Sequence, residues 1–213
     1  MKRRSLIISI STLAFIGSAY ILGWSSLFTV SSIEITGTNV YLSTSIKPGQ
    51  KLARVEPRVV ASEFQKIDWI ESADVSRNWL TGKVTITLVE RSPIAIYNNL
   101  AIDRSGASFT LHSQDVSDLP HIQASNIESA IIAADFFASL PSDLANTVRV
   151  VKVANGESYI LQVQLNNSEI ELRWGQNIDS DLKSKVYFAL IALPENSKVK
   201  RIDLSAPHAP IVK

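Results

Sequence analysis

Residues 69–93 read Trp69-Ile70-Glu71-Ser72-Ala73-Asp74-Val75-Ser76-Arg77-Asn78-Trp79-Leu80-Thr81-Gly82-Lys83-Val84-Thr85-Ile86-Thr87-Leu88-Val89-Glu90-Arg91-Ser92-Pro93. A strand is expected from Ile70 to Asn78. After Trp79 and a turn at Leu80-Thr81-Gly82 comes a second one, in which Val84, Ile86 and Leu88 alternate with Thr85, Thr87 and Val89. A period of two sends alternate side chains to opposite faces of a sheet, so the pair reads as a hairpin. Upstream, Glu56-Pro57 opens a short helix with Val59, Val60, Phe64 and Ile67 on one side. Before it, Val30 to Gly37 alternates as a half-buried strand, and Pro48-Gly49 breaks the chain between the two. Strand, turn, helix, strand, strand is the order of a small α+β module whose helical layer covers one sheet face.

The chain in front of this module is basic, then apolar. Lys2, Arg3 and Arg4 precede an uncharged run from Ser5 to Ile33, and the first acid is Glu34. A hydrocarbon core of about 30 Å needs roughly 20 helical residues, so residues 6–28 read as a membrane span. Positive charge crowded on one flank keeps that flank cytoplasmic, so residues after about 33 lie outside. The competing reading is a cleaved signal peptide, with Leu6 to Ile16 as its apolar region and Gly17-Ser18-Ala19 as small residues for cleavage. Apolar residues continuing through Trp24 to Leu27-Phe28 favour the uncleaved anchor.

Composition narrows the chemistry. Among 213 residues the formal net charge is +1, which gives no field for nucleic acid or an acidic substrate. There is no cysteine, so disulfides, thiolate metal sites and a cysteine nucleophile are excluded. An exported domain must then rest on its core alone, for which 46% hydrophobic residues are sufficient.

Downstream of Tyr97 a second domain is expected. Leu100 to Gly106 and Ser108 to Leu111 read as a hairpin. After Leu119-Pro120 comes a helix capped by Ser125 or Asn126, with Ile127, Ile131, Ala134 and Phe137 or Ala138 inward and Pro141 as its stop. Val148 to Val153, Tyr159 to Leu165 and Ile170 to Trp174, separated by Asn155-Gly156 and Asn166-Asn167, form a meander. A further helix, capped by Asp179 or Ser180, buries Leu182, Val186, Ala189, Leu190 and Leu193 before Pro194. Val199 to Leu204 is the last strand, and Ser205 to Lys213 is a tail rich in proline.

Several pieces in this order resemble one family: Phe28 to Gly37, Pro48-Gly49-Gln50-Lys51-Leu52, Trp69 to Trp79, and Val89-Glu90-Arg91-Ser92-Pro93-Ile94-Ala95, directly behind a single N-terminal anchor. Together they look like the POTRA module of the bacterial division proteins of the FtsQ/DivIB family. The second half is similar at Asp103, Gly106, Leu119-Pro120, Leu172 to Gly175, Lys183 or Lys185, and Ile202-Asp203-Leu204. The resemblance implies an α+β chain: a cytoplasmic tail at 1–5, a transmembrane helix at 6–28, a POTRA domain at 29–96, and a mainly antiparallel β-sheet domain with two helices at 97–213.

It also implies a divisome scaffold at the septum, single-pass and type II in the cytoplasmic membrane, that regulates peptidoglycan synthesis without being an enzyme. Its partners would be FtsB/DivIC and FtsL, with further divisome components reached through the POTRA domain. Partner-binding residues carried over are Arg201, Ile202, Asp203, Leu204, Ser205, Ala206 and Pro207, flanked by Lys185. Two departures stand out. The family's longer first helix has only Val40 to Ile46 available here, and Leu80 stands where the family commonly has proline after the tryptophan.

Independently of the resemblance, no catalytic, cofactor or metal set emerges. His112, His121 and His208 sit beside turn signals, without the short helical spacing of a zinc protease, and no Gly-x-Ser-x-Gly elbow occurs. Glu90-Arg91 reads as strand-end charge. Asp179, Asp181 and Glu195 read as helix-end acids, and Trp69, Trp79 and Trp174 as packing. What remains is strand addition at the last strand, Val199 to Leu204, confined to about residues 200–206 because Pro207 and Pro210 lack N–H donors. A POTRA-containing assembly or secretion scaffold unrelated to division is the alternative; it would call for tandem modules and a barrel.

Overall fold

The computed structural model describes residues 2–24, 28–112, 116–155, 157–165 and 168–213. The chain divides into two compact units, 1–91 and 92–213. The first begins with helix α1 (Lys2–Trp24), followed by β1 (Ser32–Thr36), a 3-10 turn at Leu52–Arg54, α2 (Pro57–Phe64), β2 (Ile70–Arg77) and β3 (Lys83–Glu90). Among the described residues no helix is long and apolar enough to cross a membrane. In α1 the side chains described are those of residues 7–18 and 20, a run shorter than a span needs. The side chains of Lys2, Arg3 and Arg4 lie outside the described set, as do residues 25–27 of the expected span.

The three strands form a sheet in the order β1-β3-β2. The expected hairpin is the antiparallel pair β2–β3, and β1 adds in parallel to β3 from Ser32 opposite Lys83 to Thr36 opposite Thr87. Val84, Ile86 and Leu88 turn inward with Val75 and Ile70, meeting Val60 and Phe64 of α2 in the buried set. Val59, assigned inward from the sequence, is 49% exposed.

Segment 38–47 forms no helix. The reason is local: the hydroxyls of Thr38 and Thr44 accept the N–H of Val40 (3.1 Å) and Ile46 (3.3 Å), bonds that compete with helical ones. Leu80 is equally informative. Its N–H donates to Asn78 Oδ1 at 3.0 Å, with Thr81 N–H at 3.1 Å on the same oxygen, so this turn uses a donor that proline lacks.

The second unit holds β4 (Pro93–Tyr97), β5 (Leu100–Asp103), β6 (Ser108–Thr110), β7 (His121–Gln123), α3 (Ile127–Ala138), α4 (Ser142–Ala145), β8 (Val148–Ala154), β9 (Ser158–Leu165), β10 (Ser168–Gly175), α5 (Ser180–Ile191), a 3-10 turn (Pro194–Asn196), β11 (Arg201–Asp203) and β12 (Ile211–Val212). Its nine strands run β12-β11-β10-β9-β8-β7-β4-β5-β6. The sequence expectation ended the first module at 96, whereas 93–97 is a strand of this second sheet. The expected meander appears as β8, β9 and β10. The sheet is mainly antiparallel, as expected, but mixed: β4–β7, β7–β8 and β10–β11 are parallel pairs. Two of those pairs, β7–β8 and β10–β11, are joined through helices, α3 with α4 in one case and α5 in the other, as parallel neighbours require a crossover. The turn at Asn166-Asn167 and Gly156 of the turn before it fall outside the described residues.

Trp174, Tyr159, Leu161, Val163, Leu172, Ile202 and Leu204 form the core with both long helices. Asn126 caps α3 by accepting the N–H of Ser129 at 2.8 Å. The fully buried stripe of α3 is Ala130, Ala133, Ala134 and Phe136, while Ile127, Ile131 and Phe137 flank it half-buried. Small side chains let this helix approach the sheet, and the Phe136 ring stacks on Tyr159 with centroids 3.9 Å apart. In α5 the fully buried residues are Lys183, Ser184 and Tyr187; of the aliphatic stripe read from the sequence Val186 and Leu190 pack half-buried on the core, while Ala189 is exposed and Leu193 is 42% exposed.

One glycine decides how β1 leaves the first sheet. Gly37 has φ +91°, and a Cβ there would stand 1.8 Å from the Leu88 carbonyl oxygen. Gly37→Ala is therefore expected to destabilise the first unit by about 2 kcal/mol or more. Denaturant unfolding of the full chain followed by tryptophan fluorescence measures this.

Candidate partner-binding site

The C-terminal end of the second sheet is built around β11. On one side it pairs in parallel with β10, Glu171 opposite Arg201, Leu172 opposite Ile202 and Arg173 opposite Asp203. The Leu204 N–H donates to the Arg173 carbonyl at 2.8 Å. On the other side lies β12, antiparallel, with Ile202 opposite Val212 and Asp203 opposite Ile211. The tail after Leu204 thus turns back onto the strand that was expected to end the sheet. Asp203 Oδ1 accepts the Ser205 N–H at 3.0 Å, and Ala206 accepts from Ala209 at 2.9 Å. Arg201 and Lys213 exchange both backbone bonds, at 3.0 and 2.9 Å. By the alternation of an antiparallel ladder, Val212 turns its N–H and C=O away from β11.

The side chains divide by face. Ile202 and Leu204 are wholly buried in the core, so neither presents its side chain to a partner. Arg201 and Asp203 point the other way, beside Glu171 and Arg173. Glu171 Oε1 accepts a hydrogen bond from Arg173 Nε at 2.8 Å, and Arg201 Nε lies at the same distance but out of hydrogen-bonding alignment. The bond from Arg173, helped by the charges of both guanidiniums, holds the Glu171 carboxyl below its ordinary range against the opposing effect of burial.

Behind β10 the chain enters α5 through Asp179, which takes a left-handed φ of +55° and caps nothing with its side chain. Lys183 is 3% exposed and donates from Nζ to the carbonyls of Trp174 (2.8 Å) and Gln176 (2.7 Å). Burial pushes its ammonium down from the usual lysine range, and the charge of Asp179 opposes that shift. A cavity of about 330 Å³ beside it is lined by Gly175, Asp179, Lys183, Ser205 and Pro207 among others. Gly175 permits this contact, since a Cβ there would meet the Ser205 Cα at 3.1 Å.

Residues 28–91, which hold the three-stranded sheet and α2, match the family described as POTRA domain, FtsQ-type. The chain is also similar to two proteins named cell division protein FtsQ. That of Salinibacter ruber is 23% identical over 154 residues, covering 67% of this chain and 59% of that protein. That of Actinobacillus pleuropneumoniae is 25% identical over 173 residues, covering 77% of this chain and 71% of that protein. Residues 28–91 belong to the FtsQ-type POTRA family. The chain spans less than two thirds of the Salinibacter relative's length.

The residues carried over from the sequence fall into three groups. Arg201 and Asp203 sit half-exposed on one sheet face, Ser205, Ala206 and Pro207 form the turn toward β12, and Ile202 and Leu204 are core. Lys185 is exposed on α5 beside Asp181 and Leu182, apart from the Lys183 anchor. Sequence reasoning missed β12, Glu171 and Arg173. The only signal for the last two was the alternation of Glu169, Glu171 and Arg173 along β10.

Among the described residues no group of three or more His, Asp or Glu side chains is placed to hold a metal ion. A larger cavity, about 630 Å³, lies elsewhere in this unit beside Arg104, Phe137 and Arg149.

The Glu171 cluster makes a pH-dependent contribution whose sign is defined. A carboxyl held below its unfolded value stabilises the folded state at pH above that value, and the contribution disappears as pH falls through the folded one. Glu171→Gln is expected to lower the unfolding midpoint at neutral pH, with the difference from the parent shrinking as pH drops below about 4.5. A series of thermal melts between pH 7 and 3 checks it.

Proposed function

We propose that the chain is a non-enzymatic scaffold of bacterial cell division, anchored in the cytoplasmic membrane by residues 6–28 with both folded units on the extracytoplasmic side at the septum. The observation that carries this reading is the FtsQ-type POTRA domain at 28–91, directly behind an N-terminal helix of 23 residues. At 1.5 Å per residue that helix is about 34 Å long, which suits a bilayer core. Two of its hydroxyls bond within it: Thr12 donates to the Ile8 carbonyl at 2.9 Å and Ser18 to that of Ala14 at 2.8 Å. Lys2, Arg3 and Arg4 give the orientation.

The partners in this reading are an FtsB/DivIC-like and an FtsL-like membrane protein, with other divisome components meeting the POTRA domain. A strand of the first partner pairs along residues 200–206. What supports the place is the weakness of the neighbour now holding it. β12 is two residues long, is preceded by Pro210 without an N–H, and bonds β11 only through alternate positions. A longer partner strand gains more main-chain bonds from β11, so the tail gives way to it. Arg201 and Lys185 flank the entry and steer an acidic partner segment.

Removing His208–Lys213 from the otherwise full chain is expected to raise affinity for the FtsB/DivIC-like partner severalfold, and Ile211→Pro, which deletes a β12 donor without shortening the chain, to do so less. Surface binding measurements with the chain in nanodiscs read this, and a loss of affinity in both variants would sink the displacement of the tail. Arg201→Glu should slow association and flatten its salt dependence more than it shortens residence time. In cells, a fluorescent fusion is expected at midcell; even distribution round the envelope contradicts the division reading.

A further inference from the structure

The β2–β3 turn carries an exposed apolar tip whose distance from the anchor is limited by the chain. Leu80 is 95% exposed at that tip, next to Trp79. The turn is clasped to the first residues that follow α1. Ser31 donates its N–H to the Gly82 carbonyl at 2.8 Å and its hydroxyl to the Thr81 carbonyl at 2.7 Å. The ring of Phe28 meets Trp79 edge-on with centroids 6.1 Å apart. Gly82 has φ +73°, and a Cβ there would stand 2.5 Å from the Thr29 carbonyl oxygen, so the two segments are in close backbone contact. On its other flank the same stretch is tied to a basic loop: Val30 donates to the Gln50 carbonyl at 2.8 Å, and the Phe28 carbonyl accepts from Leu52 at 3.1 Å.

Three residues separate Trp24, the end of α1, from Phe28, so the four peptide steps can reach at most about 14 Å. Adding the Phe28 side chain and the ring contact leaves the Trp79 ring within roughly 25 Å of the point where α1 ends. A single exposed leucine is ordinary on a soluble surface. Here an indole, a phenyl ring and cations accompany it. The Arg77 guanidinium lies 5.2 Å over the Trp79 ring and donates to the carbonyls of Leu52 (3.0 Å) and Val55 (2.7 Å), while Arg54 is exposed on the neighbouring turn. An apolar tip, an amphipathic ring and basic side chains together are the chemistry of a membrane interface, where rings sit at headgroup level and cations meet anionic lipid.

We infer that the β2–β3 turn seats Leu80 and Trp79 in the headgroup and acyl boundary of the outer leaflet, with Arg54 and Arg77 toward anionic headgroups, so that the first unit is held to the membrane at a second point besides α1. The inference rests on the anchoring reading. Leu80 then serves two ends: its N–H closes the turn on Asn78, and its side chain enters lipid.

The chain contains no cysteine, so Leu80→Cys provides a unique attachment point at an exposed position. The full chain carrying it is labelled with an environment-sensitive fluorophore and reconstituted in vesicles of phosphatidylethanolamine and phosphatidylglycerol, with and without spin-labelled acyl chains. Phe15→Cys in α1 and Ser197→Cys in the second unit are labelled in parallel. The expected result is a blue-shifted emission at 80 with quenching of at least twofold, strong quenching at 15, and none at 197. Quenching at 15 with a water-like spectrum at 80 overturns the second contact and leaves the anchor standing. Absence of quenching at 15 overturns the anchor and the second contact with it.

Discussion

The second unit depends on the parallel pairing of β10 with β11. A parallel neighbour cannot be reached by a tight turn, so the chain between Gln176 and Lys200 must cross over, and α5 is that crossover. The crossover starts at the left-handed Asp179 and is fastened by Lys183, whose ammonium binds the carbonyls of Trp174 and Gln176 just beyond the core of β10. Once β11 is in place, Ile202 and Leu204 complete the core and Arg201 and Asp203 reach the opposite face. The candidate binding edge is thus a consequence of how the core closes.

A sheet that ends in β11 would leave a row of backbone groups open. The nine-residue tail answers this with the least structure able to do so: a turn held by Asp203 and a two-residue strand. That neighbour is enough to keep the edge from pairing indiscriminately and slight enough to be replaced. The first unit uses a comparable economy. Hydroxyls of Thr38 and Thr44 take up N–H groups where a helix is missing, and Asn78 closes the β2–β3 turn with its side chain.

Much of the fold was legible because its signals are local. Alternation in 70–90 and in 148–174 marks five strands, Pro57 opens α2, and Asn126 caps α3. Helix faces were less legible. In α5 the pattern Leu182, Val186, Leu190 suggests an aliphatic stripe, yet Lys183, Ser184 and Tyr187 are buried, because carbonyls at the end of β10 reward an ammonium there. In α3, alanines take the innermost positions because close approach to the sheet matters more than side-chain size. The candidate site was legible only in part: a strand was read at 199–204, but β12 rather than that strand ends the sheet, and the burial of Ile202 and Leu204 follows only from pairing with β10.

The sequence by itself determined the β2–β3 hairpin, the β8–β10 meander, the long helices α3 and α5, the family of the first unit, and the lack of cysteine chemistry, since periodicity, turn residues and composition act over a few neighbouring positions. Tertiary structure alone decided which strands are neighbours, that 93–97 belongs to the second sheet, and that Ile211-Val212 folds back on β11. Those outcomes depend on backbone groups far apart in the chain finding one another. A two-residue strand leaves no periodic trace from which such a meeting can be read.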